Sequence, residues 1–437
     1  MDLGTISLLI LFGLVILILI GIPLGFASGF LGALIVYLKI GPDGLGILMA
    51  RMYSLVITYA FLSIPLFIFM ACLLERSNIA RDLYDSLNAW LKKTRGGVGV
   101  VTAIMATLMA AMSGIIGGEI VLLGLIALPQ MLRLKYNQDL AIGVVCASGS
   151  LGTMIPPSIV LIIYGLVTST SITLLFKEAF VPGLMLCGFY IAYILIRTRL
   201  QPHLAPIDEN EPALTFKEKL KFLPGFLPPA ILVVVVLGSI YAGITGITEA
   251  AGMGCVFTLI IIYFRKELSW FLFKDAVTRT FKATGTIITI TFGATVLAGA
   301  YSLIGGPAYV ASSILDLNVA PMTVIAIMML IFIFLGAFMD WTGIVLLTMP
   351  VFLPIVIKLG FDPIWFGILF CINMQVSFLT PPFGPAAFYL KSVTPPHISL
   401  TDIFRSFGPF IVIQLIVLLI VMFIPEVAQN FHNFKNP

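Results

Sequence analysis

The sequence predicts an all-α integral membrane fold, with an inverted-topology repeat built from two re-entrant helical hairpins and two broken transmembrane helices. Three observations predict it. Of 437 residues, 60% are hydrophobic and only 10% charged, against about 25% charged in soluble proteins. Two apolar stretches are interrupted by small polar residues running into a Pro-Pro pair: Ala147 to Ser158, containing Pro156 and Pro157, and Asn373 to Gly384, containing Pro381 and Pro382. The two interruptions, and landmarks around them, are spaced alike: Pro156 and Pro381, Pro129 and Pro354, and Gly183 and Gly408 are each 225 residues apart. A helix cannot pass unbroken through a proline pair. At membrane depth an unwound backbone survives only inside protein or along a cavity, and matched breaks in two halves point to a transporter site.

The elements follow in order. Residues 4–38 are an apolar run broken at Gly21-Ile22-Pro23, long enough for two spans. Residues 39–54 read as a glycine-containing connection and 55–75 as a span. In 76–95, Ile79, Leu83, Leu87, Trp90 and Leu91 share one helical face, as in a helix lying at the membrane interface. Residues 97–132 are two short apolar pieces around Ala111 to Glu119, with basic residues at both outer ends. Positive charge marks the cytoplasmic side, so this segment enters and returns as a hairpin. A broken helix at 138–170 runs outward, a span at 179–196 returns, and the basic linker 197–221 lies inside. Spans at 223–243 and 247–264 lead to a second basic connection, 265–282, and a span at 283–303. The connection 304–318 holds no lysine or arginine. The second hairpin, 319–357, therefore enters from the opposite side, with its tip at Gly336 to Gly343. A broken helix at 363–390 and a last span at 407–424 complete the chain, and both termini are expected outside.

The five cysteines lie in or beside apolar spans without metal-ligand spacing, and the three histidines sit in polar connections or the tail. Nucleophilic, histidine-based and nucleic-acid chemistry are therefore not expected, and the chain is read as no enzyme. The carriers of chemistry are the breaks and tips. Half-helices ending before each break present carbonyl and hydroxyl oxygens suited to Na⁺. For Na⁺ the candidates are Ser113, Gly114, Ser148, Gly149, Ser150, Gly152, Asp340, Thr342, Ser377 and Thr380. Because proline favours the first helical position, Pro156 and Pro381 are expected to open the second half-helices, whose N-termini suit an anion. The substrate candidates are Thr153, Pro156, Pro157, Ser158, Asn373, Gln375, Pro381 and Pro382. Glu119 and Asp340 are ionisable groups that cost roughly 2.5–3.5 kcal/mol at a helix centre on insertion scales. Each either serves cation coupling or orients a tip, and Glu119 is the candidate coupling residue. No lysine or arginine falls in a tip or break.

With these residues in place the chain resembles the large membrane subunit of the tripartite ATP-independent periplasmic (TRAP) transporters. The carriers are Ile64-Pro65-Leu66-Phe67, Ser113-Gly114, Ala147 through Ser158, Met339-Asp340 and Leu379-Thr380-Pro381-Pro382, in this order. The resemblance implies a sodium-coupled importer of organic acids in the bacterial inner membrane. It also implies an elevator-type transport unit, a separate small four-helix membrane subunit and a periplasmic solute-binding protein. Many members carry Ala, Ser and Thr in the first tip, where this chain has Ile115-Ile116-Gly117-Gly118-Glu119. The expected division is N-terminal scaffold spans 1–75, first repeat 76–196, central linker and scaffold spans 197–303, second repeat 304–424 and tail 425–437. Competing readings are a stand-alone sodium–anion symporter of related architecture, a membrane-embedded enzyme and a channel.

Overall fold

The computed structural model describes residues 2–91, 93–115, 117–206, 214–315 and 319–429. Lys92, Ile116, part of the linker (207–213), the end of the second arm (316–318) and most of the tail (430–437) lie outside the described residues. All regular structure among the described residues is helical. Seven helices are long and apolar enough to cross a membrane, among them Ile172–Leu200, Leu223–Tyr241, Ile247–Phe264 and Trp270–Leu303.

The two-helix reading of the N-terminus holds: Leu3–Leu19 and Leu24–Lys39 are separated at Gly21, whose φ of 94° suits glycine, and Pro23. The expected connection at 39–54 is instead a helix, Asp43–Val56. Gly44 and Gly46 cost it helix propensity, but Gly44 abuts Val36 and Ile40, so packing overrides propensity. The basic connection 265–282 and the span 283–303 merge into one 34-residue helix, Trp270–Leu303. Its lysines and arginines are spaced along exposed faces, and basic residues favour helix as readily as loop.

The repeat begins earlier than residue 76. Leu3–Leu19 corresponds to Leu223–Tyr241, and Leu24–Lys39 to Ile247–Phe264, at the same offset of about 225 residues. The first arm, Ile79–Leu91, corresponds to Gly306–Leu315. The hairpin Gly97–Ser113 and Gly118–Arg133 corresponds to Pro321–Gly336 and Trp341–Lys358. Packing repeats as well. Gly29 lies against Gly293, and Gly254, the equivalent of Gly29, lies against Met70, two residues past the equivalent of Gly293, joining the other pair of outer helices. Close helix approach through glycines is a membrane habit, since lipid tails supply no hydrophobic drive between helices.

The long helix Trp270–Leu303 serves as a ruler for depth. Gly25 abuts Thr289 and Ile290, and Gly32 abuts Leu297, so Leu24–Lys39 runs parallel to it. Arg76 pairs with Asp275 at 2.6 Å and Phe69 meets Phe273 edge-on, so Ser63–Arg76 ends at the opposite level from Leu303. The outer helices keep apolar faces exposed, including Phe12, Phe26, Phe30 and Val234, as lipid contact requires. The first halves of the broken helices do not. Pro363–Leu379 is buried from Ile364 to Leu379, and Gln138–Gly149 from Leu140 to Gly149. These buried halves, with the hairpins packed on them and the rest of the broken helices, make up an inner body, and the outer helices a frame. The first arm turns Ile79 and Leu83 inward as expected, and Tyr84 as well, but Trp90 is exposed and meets Phe216 edge-on.

Candidate functional site

Both breaks form, but not where the proline rule places them. The first half-helix Gln138–Gly149 tightens into a short 3₁₀ turn at Leu151–Thr153, and the second half begins at Ile159 behind Ser158. In the second break, Pro363–Leu379 ends at Thr380, and the next helix is Pro385–Lys391. Pro156, Pro157, Pro381 and Pro382 therefore lie inside the breaks, and Pro156 and Pro381 do not open helices. Each pair carries a cis Pro-Pro bond. Two adjacent residues without N–H donors, each restricting its predecessor, keep the chain unwound past the pair. The first-position proline of the second break is Pro385.

The first hairpin tip meets the first break. Gly114, at φ 60°, has no room for a Cβ because the Pro157 carbonyl stands there. Its own carbonyl accepts a 3.4 Å bond from the Ile159 N–H, so the tip covers the N-terminus that was expected to face an anion. Ser113 donates its hydroxyl to the Glu119 carboxylate. Glu119 is 1% exposed, lies against Gly152, and its second oxygen has no partner. Gly149 sits on Ile120. The remaining hydroxyls point back at carbonyls: Ser150 to Ala147 at 2.8 Å, Thr153 to Ser150 at 3.0 Å, and Ser158 to Thr153 at 2.7 Å. Ser148 is fully buried and unpartnered. Ser113, Gly114, Glu119 and the break from Ser148 to Ser158 thus come together as expected. Their donors are all oxygen, which fits a hard cation.

The second tip meets the second break in the same way. Gly336 lies on Ser377, whose hydroxyl donates to Phe332 at 3.3 Å. Asp340 is exposed and caps Trp341–Lys358, accepting the Thr342 N–H at 3.2 Å, so it orients the tip. A void of about 10 Å³ among Gly336, Asp340, Ser377 and Pro385 has room for one water-sized particle. Asn373 donates to the Met329 carbonyl at 2.9 Å while its oxygen stays unpartnered. Gln375 is fully buried with both amide atoms unpartnered. At about 100° per residue, Gln375 faces away from Asn373 and Ser377, so the substrate candidates Asn373 and Gln375 do not share one helical face. Thr380 returns its hydroxyl to Val376 at 2.7 Å.

Sequence reasoning missed three contributors. Gln414, buried in the apolar run Gly408–Phe423, donates to Tyr190 at 2.9 Å and to Ser150 at 3.4 Å, bracing the first break from behind. A lone amide among apolar residues was the available signal. Glu75 occupies the space where Gly118 lacks a side chain, at the first tip. Read from sequence, it looked like an ordinary helix end. Gly117 faces the Tyr389 ring, which stacks on Phe378 at 6.1 Å, linking the first tip to the second break. On the second tip Gly343 is covered by Leu24, from the frame. No group of three or more His, Cys, Asp or Glu residues gathers as a metal cluster among the described residues.

The solved structures of the YdaH transporter of Alcanivorax borkumensis and of MtrF of Neisseria gonorrhoeae share the fold. Their TM-scores are 0.62 and 0.61, their identities 16% and 12%, and they cover 89% and 90% of this chain and 90% and 86% of their own. The C4-dicarboxylate TRAP transporter large permease protein of Pseudomonas aeruginosa is 31% identical over 93% of both chains. The sialic acid TRAP transporter large permease protein of Vibrio cholerae is 27% identical over 95% of this chain and 96% of its own. Residues 11–427 match the family described as the tripartite ATP-independent periplasmic transporter, DctM component. With that match over residues 11–427 and the 31% identity to the Pseudomonas aeruginosa permease, this multi-pass membrane chain belongs to the family of TRAP transporter large permeases.

Proposed function

We propose that the chain carries out sodium-driven uptake of a small organic acid anion across the bacterial inner membrane, by an elevator movement of its inner body. The anion is delivered by a periplasmic solute-binding protein, and a small four-helix membrane subunit completes the assembly. The named ligands of the relatives, C4-dicarboxylates and sialic acid, support an acid. The oxygen-only donor set and the orphaned Glu119 and Ser148 oxygens support a cation at the first break. The anion belongs between the two breaks, with Na⁺ supplying positive charge that no lysine or arginine in the breaks supplies. Each then raises the other's affinity by the same factor.

One observation carries the elevator reading. The repeat pairs Gly118 with Gly343 and Glu75 with Ala300. Gly118 rests on Glu75, so a symmetric molecule would rest Gly343 on Ala300. Gly343 rests instead on Leu24, beside the Gly25 that abuts Thr289. Along the long helix that is eleven residues short, roughly 16 Å at 1.5 Å per residue. Two equivalent tips sit at inequivalent depths, as when an inner body has slid toward one face of a fixed frame. By the charge rule that face is cytoplasmic, and the hairpins are re-entrant from opposite sides. The test is uptake into proteoliposomes holding the chain with the small subunit. Uptake is expected only with an inward Na⁺ gradient and loaded binding protein. Equal uptake without binding protein would favour the stand-alone symporter, and uptake indifferent to Na⁺ would remove the coupling.

A further inference from the structure

We propose that a polar cavity around Arg51, remote from both breaks, is an anion-capture site on the outer face of the frame. The proposal rests on the orientation and the anionic cargo of the reading above. The cavity measures about 530 Å³, within the range of roughly 300–1,000 Å³ typical of small-ligand sites. Its frame wall carries Arg51, Ser54 and Thr58 on or after Asp43–Val56, and Thr295 and Ser302 on the long helix. Its other wall belongs to the inner body: Ser169, which ends Ile159–Thr168, and Pro350 of the second hairpin.

Three features give it a ligand class. Arg51 is the single ionisable group in the lining, and it forms no ion pair among the described residues. The hydroxyls of Ser54 and Thr58 are spent on the Arg51 and Ser54 carbonyls, at 2.9 and 3.0 Å. Those of Ser169, Thr295 and Ser302 make no hydrogen bond among the described residues and are free to donate. A guanidinium with spare donors around it suits a carboxylate. The arginine lies along the long helix beside Gly299: a Cβ there would come within 3.0 Å of the Arg51 Cδ, so the glycine eases this close packing. The walls come from frame and inner body, so the cavity must change shape when the body moves. A carboxylate released outside would be held here first, next to the second hairpin that must admit it.

The experiment needs no knowledge of the cargo. Ser302→Cys is introduced into the full chain, whose five native cysteines are buried. It is reconstituted in phosphatidylcholine vesicles and reacted with two thiosulfonate reagents of similar size, one bearing a sulfonate and one a trimethylammonium. The sulfonate reagent is expected to react about tenfold faster, as attraction by a focused charge allows. Adding Arg51→Gln should abolish that preference, and Arg51→Lys should retain most of it. Equal rates in Ser302→Cys alone, no reaction with either reagent, or reaction only from the face where residues of Ile79–Leu91 react would each overturn the proposal. The Ser302→Cys comparison decides the matter even if Arg51→Gln fails to fold. Labelling does not depend on uptake. An anion preference without transport would sink the proposed function alone, and transport without the preference would sink this site alone.

Discussion

At the scale of single residues, the site turns on what buried oxygens lack. Glu119 spends one carboxylate oxygen on Ser113 and leaves the other bare beside Gly152. A buried polar atom without a partner is costly, and the cation proposed at the break would remove that cost. Glu119→Gln is expected to raise the half-saturating Na⁺ concentration for uptake about tenfold, since a bond involving a charged group contributes roughly 1.5–3 kcal/mol. A sodium titration of transport, with the variant checked for a monodisperse chromatographic profile, measures this. An unchanged titration would leave Glu119 as a brace for the tip. Composition revealed Glu119 and Asp340 because ionisable groups are rare in apolar runs. It did not separate their roles: Asp340 caps a helix, whereas Glu119 faces the break. Arg51 stayed hidden because a stretch with three glycines in 41–46 reads as loop until its packing is visible.

At the scale of elements, the hairpins, arms and breaks were legible because prolines, glycines and charge leave local marks. Helix boundaries beyond such marks were not. The long helix Trp270–Leu303 contains Lys274, Arg279 and Lys282, which suggested a loop, yet its helical bonds run through them unbroken. Its packing gives a prediction of its own. Gly293 is pressed against the Gly25 backbone and the Ser28 hydroxyl, with no space for a methyl group. Gly293→Ala is expected to destabilise the folded protein by about 1–3 kcal/mol, the usual range for overpacking. A lowered thermal midpoint in detergent would record it. Gly252, which faces open space inside Ile247–Phe264, gives the control: alanine there should leave the midpoint unchanged or slightly raised, because a helical glycine costs propensity.

At the scale of the whole molecule, the early start of the repeat was invisible to pattern reading. Leu3–Leu19 and Leu223–Tyr241 share composition and length rather than a motif, and apolar spans resemble one another by chance. The unequal depth of the two tips leads to the last prediction. Leu24→Cys and Gly343→Cys place two thiols on neighbouring surfaces of frame and inner body. Oxidation should join them and stop uptake, and reductant should restore it. Full-rate transport through an intact cross-link would mean that frame and body do not move past each other.

The long helix has one further consequence. At about 51 Å, its 34 residues exceed the roughly 30 Å hydrocarbon layer. Its counterpart in the other half is divided, with Asp43–Val56 set off from Tyr59–Arg76 at Ile57 and Thr58. One half of the frame is therefore a rigid strut and the other is jointed. A thinner or thicker bilayer is absorbed by tilting the strut and bending the joint, while the buried first halves of the broken helices keep their geometry. Lipid chain length should therefore alter how fast this molecule cycles far more than how tightly it holds its cargo.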